Sequence, residues 1–379
     1  MRTRGLLTTV AALLAALLLV TLLPTTAGAR PDGRPTPGAS ITPREAPQSF
    51  LDARRRRSPL PVLWGRSFGD PSVAATSWGY VAVATGWGVP MSSAYAANGP
   101  WVDRGPALTR LPTWALDEPL WAADIERING RWVMYYSARV AGLGRSGRCI
   151  GVAVSTSPLG GFTPVDRAPL VCPRRATTPR AGDLVPRRGR GLSKKAGVID
   201  PSVFRDRGGR LHLLYKTQGF PSSIRMVRLN GHGLTARRKA PSRRLVRDPG
   251  TVENPVLVRR GKKYFLFTSQ GNYGGCRYRT EWRRSKDLWS WKDTRPRVLL
   301  NRKKTGLCGP GGADVVAEPA LGTTTIFFHG WVCYRTELPC RGRFNYKDPF
   351  GPPSNRAMYA ARLGFKGGAP RIKRYLRPG

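Results

Sequence analysis

The chain has 379 residues and a formal net charge of +42 at pH 7, from 64 Lys and Arg residues against 22 Asp and Glu residues. This length suffices for one large domain or two ordinary ones with a sizeable core. The charge attracts polyanions of any kind, but its arginines are spread over predicted loops without an aromatic nucleic-acid motif, which disfavours specific nucleic-acid binding. A solvated basic coat, or affinity for acidic cell-surface polymer, is the favoured interpretation.

The N-terminal segment has the layout of a secretory signal peptide. A short basic start, an apolar run and an Ala27-x-Ala29 end occupy residues 1–29, which predicts cleavage after Ala29 and a secreted, extracellular protein. An uncleaved membrane anchor is the alternative interpretation, and no later run is long and apolar enough to cross a bilayer. Residues 30–60 are rich in Pro, Gly and Arg, which predicts a disordered linker before a folded domain over 61–379.

The folded part has a strand pattern almost throughout. Short runs rich in Val, Ile, Phe and Tyr recur, among them YVAVATG, RWVMYYSA, CIGVAVST, RLHLLYKT, KKYFLFTS and TTIFFHGW. The breakers INGR, DRGGR and RRGKK stand where tight hairpin turns are expected. The basic segment 174–195 interrupts these runs. It is interpreted as an exposed insertion because strand patterns resume directly after it.

A repeat organises these strands. An acidic residue, apolar positions, a turn and an aromatic-rich strand occur together five times, opening at Asp70, Asp124, Asp200, Glu253 and Asp314. Spacings of roughly 50 to 75 residues suit the four-stranded blade of a propeller. The sequence therefore predicts an all-β, five-bladed β-propeller with four-stranded antiparallel blades. Its inner strands are expected to bring the acidic side chains to one central pocket.

The cysteines also indicate an exported protein. Six cysteines follow the signal peptide, an even number that favours disulfides, and none has the C-x-x-C spacing of a zinc site. Proximity along the chain suggests the pairs 149–172, 276–308 and 333–340, although six cysteines allow many other pairings.

The ordered motifs resemble those of a known family. The runs FGDPSV, LWAADIERINGRWVMYYSA, VIDPSVFRDRGGRLHLLYKT, VENPVLV and GPGGADVV follow in order the pattern of glycoside hydrolase family 43. The resemblance covers nearly the whole chain after the signal peptide and implies a five-bladed propeller. It also implies an inverting glycoside hydrolase acting on pentose-containing polysaccharides or oligosaccharides, of the arabinofuranosidase, xylosidase or arabinanase type.

The resemblance implies roles for three acidic residues. Asp70 matches the general base, Glu253 the general acid, and Asp200 the carboxylate that orients the acid and tunes its pKa. Inversion requires two carboxyls about 6.5–9.5 Å apart, with one protonated and the other ionised near neutral pH. An Asp before Pro is also a common turn former, which is the alternative interpretation of Asp70 and Asp200. Asn254 stands beside the acid where the family commonly has Gly.

Further residues are candidates for binding the substrate. Trp121 and Asp124, in LWAADI, stand where the family usually reads W-A-P-D, and an aromatic face suits a sugar ring. Blade packing is an equal alternative for Trp121. Arg356, in NRAMYAARL, matches an arginine that pairs with the modulating aspartate in the family. The remaining candidates are Phe68, Trp87 and His329.

The motifs also depart from the family at a position associated with metal binding. The family often has an axial histidine in a G-P-G-H run, beside a cation or water cluster, whereas GPGGADV has Gly312 there. His329, in FFHGW, is more typical of a packed core. The sequence therefore predicts no metal site and no cofactor.

The predicted partners are a carbohydrate substrate and, without specificity, anionic cell-surface polymers. No specific nucleic-acid partner is expected, and no stable membrane span after signal cleavage. The alternative function is a propeller that binds glycans or acidic polymer without cleaving them. The charge and the departures at Asn254 and Gly312 are compatible with it.

Overall fold

The structure is a computed structural model that describes residues 59–165, 168–173, 176, 196–237, 239–318, 321–333, 339–340 and 354–379. The predicted signal peptide lies outside these residues, as does the predicted linker except for its last two positions. The predicted insertion is also outside them, apart from Ala176, which is buried in the core. Within the described residues, no helix has the length and apolar character needed to span a membrane.

Twenty strands, numbered in chain order, form five four-stranded antiparallel sheets, each from four consecutive strands. Blade 1 contains β1 (Ser72–Ala75), β2 (Tyr80–Val83), β3 (Pro90–Ala94) and β4 (Val102–Pro106). Blade 2 contains β5 (Trp121–Ile128), β6 (Arg131–Arg139), β7 (Arg148–Ser155) and β8 (Thr163–Pro164). Blade 3 contains β9 (Val198–Arg205), β10 (Leu211–Thr217), β11 (Ser222–Arg228) and β12 (Arg243–Asp248). Blade 4 contains β13 (Val252–Arg260), β14 (Lys263–Gln270), β15 (Arg279–Ser285) and β16 (Arg297–Leu300). Blade 5 contains β17 (Cys308–Glu318), β18 (Thr323–Cys333), β19 (Ser354–Lys366) and β20 (Ala369–Tyr375), preceded by the short helix α1 (Arg302–Thr305).

The blades close into a ring. The first strands of successive blades contact one another, and the first strand of blade 5 contacts that of blade 1. The chain entering blade 1 is tied to blade 5, since the backbone N–H groups of Val62 and Leu63 both donate to the carbonyl of Met358. The predicted five-bladed β-propeller is confirmed.

The core is divided among the interfaces between blades. Five apolar clusters each join two neighbouring blades. Successive residues of one strand face opposite neighbours: Phe327 packs towards blade 1 and Phe328 towards blade 4. Because both faces of a blade are covered, β10 is buried at every position. This two-sided burial explains why several runs are continuously apolar rather than alternating.

The local signals in the sequence are also confirmed. In the INGR turn, Ile128 pairs with Arg131 around Asn129 and Gly130, whose φ values of 51° and 78° are those of a two-residue type I′ hairpin. The three disulfides are the pairs suggested by chain proximity: Cys149–Cys172, Cys276–Cys308 and Cys333–Cys340.

A residue with left-handed backbone lies within the first five residues of the inner strand or, in blade 1, two residues before it. The five residues and their φ values are Asp70 (52°), Ala122 (41°), Asp200 (56°), Asn254 (47°) and Gly312 (56°). In four of the blades the pairing register shifts across this residue. The acidic residues of the predicted repeat therefore do not all occupy the same structural position in their blades. Asp124 and Asp314 lie two residues after the left-handed position, and Glu253 lies one residue before it.

Gly312 offers a test of this geometry. A Cβ added there would lie 2.5 Å from His329 Nδ1, whereas at Gly261, with nearly the same φ of +57°, it would meet nothing within 4 Å. We expect Gly261→Ala to lower the free energy of unfolding by about 1–2 kcal/mol, the backbone cost alone. Gly312→Ala should cost about 3 kcal/mol or more, because overpacking adds to it. Urea unfolding measures both, and equal costs would contradict the packing of His329 against Gly312.

Candidate active site

A cavity on the central axis of the propeller is lined by the same three positions of every blade. It is surrounded by residues 70–72, 122–124, 200–202, 254–256 and 312–314, each segment beginning with the left-handed residue. The left-handed turn directs the side chain towards the axis, so Asp70 and Asp200 both line this cavity. The repeated Asp-Pro-Ser-Val therefore places two carboxylates on a shared hollow.

Asp70 is held by an arginine and a threonine. Its Oδ2 accepts hydrogen bonds from Arg356 Nη1 at 2.8 Å and from Thr85 Oγ1 at 2.7 Å. The arginine reaches it because Gly69 has no side chain: a Cβ there would lie 2.0 Å from Arg356 Cζ. Burial alone would raise the pKa of Asp70, but Arg356 and Thr85 together hold it below its usual value. Asp70 is therefore ionised at neutral pH.

The partner of Arg356 differs from the one implied by the family resemblance. The resemblance paired it with the modulating aspartate, Asp200, whereas the structure pairs it with Asp70. The reason is the closure of the ring: the backbone N–H of Phe68 donates to the carbonyl of Arg356, which fixes this part of β19 beside the entry to blade 1.

Asp200 and Glu253 form a second buried group with a lysine. The backbone N–H of Asn254 donates to Asp200 Oδ2 at 3.0 Å, and Lys216 Nζ forms an ion pair with Glu253 Oε2. The pKa of Asp200 is raised to about 7, first by burial and then by Glu253, with Lys216 opposing both. Burial would lower the pKa of Lys216, but Glu253 and Asp200 raise it, so the lysine stays charged. Asp200 can therefore hold a proton near neutral pH.

Tyr278 holds Glu253 from the other side. Its hydroxyl lies 2.7 Å from Glu253 Oε1 and 2.7 Å from Asn254 Oδ1. Burial first, and then Glu253, raise the pKa of Tyr278 well above its usual value, so the hydroxyl remains a neutral donor. Asn254, which replaces the glycine common in the family, thus takes part in positioning the tyrosine.

His329 lies directly behind Asp70. Its Nδ1 accepts the backbone N–H of Asp70 at 3.0 Å, and its ring lies parallel to that of Tyr278 with centroids 5.8 Å apart. Burial lowers the pKa of His329 to about 3, so the ring is neutral and carries its proton on Nε2. The ring fills the space that a side chain at Gly312 would need. Within the described residues, no group of three or more His, Cys, Asp or Glu side chains has the arrangement of a metal site.

Two further carboxylates on the axis link the blades. Asp124 accepts hydrogen bonds from the Ser72 hydroxyl at 3.0 Å and from the backbone N–H of Val203 at 2.8 Å, which connects blades 1, 2 and 3. Asp314 accepts the backbone N–H of Val73 at 2.7 Å. The pKa of Asp124 is raised to about 8, first by burial and then by Asp314.

The candidate aromatic residues occupy different environments. Trp121 is half-buried beside the cavity, and the Arg148 guanidinium covers its ring, with Cζ 3.2 Å from the centroid. Trp87 is half-buried between β2 and β3. Phe68 has no exposed surface and packs in the core between blades 5 and 1.

The sequence analysis missed Lys216, Tyr278 and Thr85. Lys216 had a signal: a lysine within the apolar run LHLLYKT, where a charge buried on a two-sided strand requires a carboxylate partner. Tyr278 and Thr85 had none, because tyrosine and threonine are ordinary residues of strands and turns.

A family comparison matches most of the chain. The model of glycosyl hydrolases family 43 matches residues 61–344. The probable arabinan endo-1,5-alpha-L-arabinosidase A of Aspergillus clavatus is 27% identical over 279 residues, which are 66% of this chain and 77% of that protein. The probable arabinan endo-1,5-alpha-L-arabinosidase C of Aspergillus niger is 39% identical over 92 residues, 23% of this chain and 28% of that protein.

Solved structures share the fold at lower identity. A thermostable family-43 glycoside hydrolase superposes with a TM-score of 0.62 at 19% identity, covering 85% of this chain and 98% of that one. The alpha-L-arabinanase of Cellvibrio cellulosa superposes with a TM-score of 0.59 at 19% identity, covering 81% of this chain and 95% of that one. At this identity the likeness concerns the fold alone.

The raised pKa of Asp200 predicts a pH dependence of stability. Because the pKa of Asp200 is about 7 in the folded protein and 3.8 in its usual range, its contribution to stability is complete below pH 4 and is lost as the pH rises towards 7. We expect the free energy of unfolding of the wild type, relative to Asp200→Asn, to fall by on the order of 4 kcal/mol across this range. Urea unfolding at several pH values measures it.

The matched control is Asp293→Asn, which changes an exposed carboxylate. The difference in free energy of unfolding between Asp293→Asn and the wild type should vary by less than about 0.5 kcal/mol over the same pH range. If the difference in free energy of unfolding between Asp200→Asn and the wild type did not change with pH, Asp200 would not be protonated in the folded protein near neutral pH.

Proposed function

Because the chain belongs to glycosyl hydrolases family 43, we propose that it hydrolyses glycosidic bonds of pentose-containing polysaccharides with inversion, and that α-1,5-linked arabinan is the first substrate to test. The fungal relatives named as arabinan endo-1,5-alpha-L-arabinosidases support this substrate class. Arabinofuranosides and xylosides are the related small substrates.

The observation that carries the proposal is the pair of opposite protonation states around one cavity. Arg356 and Thr85 hold the pKa of Asp70 low, which suits a general base. Burial and the charge of Glu253 raise the pKa of Asp200 to about 7, so a proton is held beside Glu253, the proposed general acid, near neutral pH. An inverting hydrolase needs these two properties together.

The proposed reaction uses these groups in a single displacement. Asp70 accepts a proton from a water molecule as its oxygen forms a bond to the anomeric carbon. The glycosidic carbon–oxygen bond breaks on the opposite face, and Glu253 donates its proton to the leaving oxygen. Asp200 holds a proton near Glu253 at neutral pH, and Lys216 stabilises the glutamate left behind.

The surrounding residues position the catalytic ones and the sugar. Arg356 and His329 fix Asp70 through its carboxylate and its backbone N–H, respectively. Trp121 and Trp87, both half-buried, are the aromatic residues proposed to contact the sugar, and Asp124 lines the axial cavity. One face of Trp121 is taken by Arg148, so the sugar contacts its remaining surface.

Export is part of the proposal. The basic and apolar N-terminal sequence supports it, and three disulfides among the described residues suit an oxidising compartment outside the cytoplasm. Cleavage after Ala29 then releases the mature chain, which mass spectrometry of the exported protein can test.

The acid and base assignments predict large losses of turnover. Asp70→Asn and Glu253→Gln should each lower kcat on arabinan by about a thousandfold, because each removes one proton transfer. Reducing-sugar release measures the rate, and unfolding curves check that the variants fold. Asp293→Asn, which changes an exposed residue, should keep wild-type turnover.

Turnover near wild type in either catalytic variant would refute the role assigned to that residue. Arabinan binding without any hydrolysis by the wild type would favour a non-catalytic glycan-binding propeller.

The stereochemistry of the first product tests the single displacement. We expect hydrolysis of an aryl α-L-arabinofuranoside to release β-L-arabinose first, before mutarotation, because water attacks the face opposite the leaving group. Proton NMR spectra recorded during the first minutes distinguish the two anomers. Initial release of the α-anomer would require a covalent intermediate and contradict the role of Asp70 as a base.

A further inference from the structure

A second cavity lies between the outer parts of blades 3 and 4. It has a volume of about 510 Å³, within the size range of small-ligand sites. One wall is the middle of β12, and the other is β15 with the loop that follows it, residues 287–294. The four basic side chains that line it are Arg244, Arg247, Arg283 and Lys292, and its single acidic residue is Asp287.

This cavity is remote from the catalytic pocket along the blade. Glu253, at the pocket end of β13, pairs with Ser269, and Ser269 pairs with Thr280 near the start of β15. Since β15 runs from there to Ser285, the loop after it lies at the opposite end of the blade. A ligand here does not contact the catalytic carboxylates.

Arg283 distinguishes this cavity from a general basic surface. The side chain is buried, with 5% of the residue exposed, and within the described residues no carboxylate lies within 4.0 Å of it. Its one protein hydrogen bond is long, 3.4 Å from Nη1 to Thr268 Oγ1. The structure gives the other guanidinium N–H groups of Arg283 no hydrogen-bond acceptor among the described residues, and these groups are not among its fully buried unpaired atoms. Burial lowers the pKa of Arg283, whereas Glu281 and Asp248 raise it. The cavity therefore holds a cation that has lost part of its hydration.

The other lining residues suit an acidic sugar chain. Arg244, Arg247 and Lys292 are exposed at the rim, where they can meet charges spaced along a polymer. Trp289 is half-buried in the same wall and offers apolar surface beside these cations. Planar guanidinium groups bind carboxylates in a bidentate manner, and a uronic acid carries its carboxylate on the ring itself. Ring and charge can then contact Trp289 and arginine within one sugar unit.

From this geometry we propose that the cavity between blades 3 and 4 is an ancillary binding site for a polysaccharide that carries carboxylate groups, such as a polyuronate. The site anchors the protein to an acidic polymer and leaves the catalytic pocket free. It does not depend on the proposed hydrolysis, so the two can fail separately.

The test compares two double variants of equal charge. Arg244→Gln with Arg247→Gln removes two cations from the cavity rim, and Arg127→Gln with Arg131→Gln removes two exposed cations from blade 2. Oligogalacturonate binding is measured by calorimetry in about 0.15 M salt, where long-range attraction is screened. We expect the cavity variant to bind at least about tenfold more weakly than the wild type, and the blade 2 variant to change by less than about twofold. Thermal unfolding midpoints confirm that both variants fold.

Further measurements define the chemical class of the ligand. Arg283→Lys keeps the buried charge but loses the planar fork, so it should also weaken oligogalacturonate binding. Neutral arabinan oligomers should not bind at this site. Equal weakening in both double variants, or no binding by the wild type, would overturn the proposal. Tighter binding of poly(glycerol phosphate) or duplex DNA, with the same dependence on Arg244 and Arg247, would overturn the assignment to a carboxylate polymer.

Discussion

The architecture depends on how backbone N–H groups are satisfied where five inner strands approach one axis. An unpaired N–H in this buried region would cost free energy comparable to a lost hydrogen bond. The carboxylates of three blades accept these bonds from the backbone of a neighbouring blade, at Asp124, Asp200 and Asp314. The three residues that begin with the left-handed one line the axial cavity in every blade. Ring closure and the catalytic cavity therefore rest on the same hydrogen bonds.

Gathering carboxylates on an axis has an electrostatic consequence, since they cannot all be ionised in a buried space. Two cations enter this group of carboxylates. Arg356 reaches Asp70 from β19, and Lys216 reaches Glu253 from β10. Both come from strands outside the innermost ring, from opposite sides of the cavity. The axial carboxyl of Asp124 has no cation among its partners and its pKa rises to about 8. The low pKa of Asp70 thus follows from where Arg356 enters, whereas burial and Glu253 raise the pKa of Asp200 against the opposing charge of Lys216.

The sequence was sufficient to predict the strands, the number of blades and the disulfides. Alternation, turn residues and chain proximity are local signals, and the INGR hairpin shows how directly they act. The register of the repeat was not predictable to the residue, because the acidic residue does not occupy the same position in each blade: Glu253 precedes the left-handed residue and Asp124 follows it. The partner of Arg356 depends on how blade 5 meets blade 1, a contact between residues nearly 300 positions apart, about which sequence periodicity carries no information.

The surface charge of the protein suits an acidic polymer, whereas the proposed substrate of the axial site is neutral. Pentose units of arabinan are uncharged, so a positive field neither steers them nor strengthens their binding. Within the site, Arg356 and Lys216 are both ion-paired, which leaves the basic excess on the surface, in side chains such as Arg244 and Arg247. A field of this sign raises the local concentration of the protein at an acidic polymer. Where a neutral glycan is embedded in such a polymer, the surface charge would concentrate the protein at the polymer, while the proposed hydrolysis would take place at the axial carboxylates.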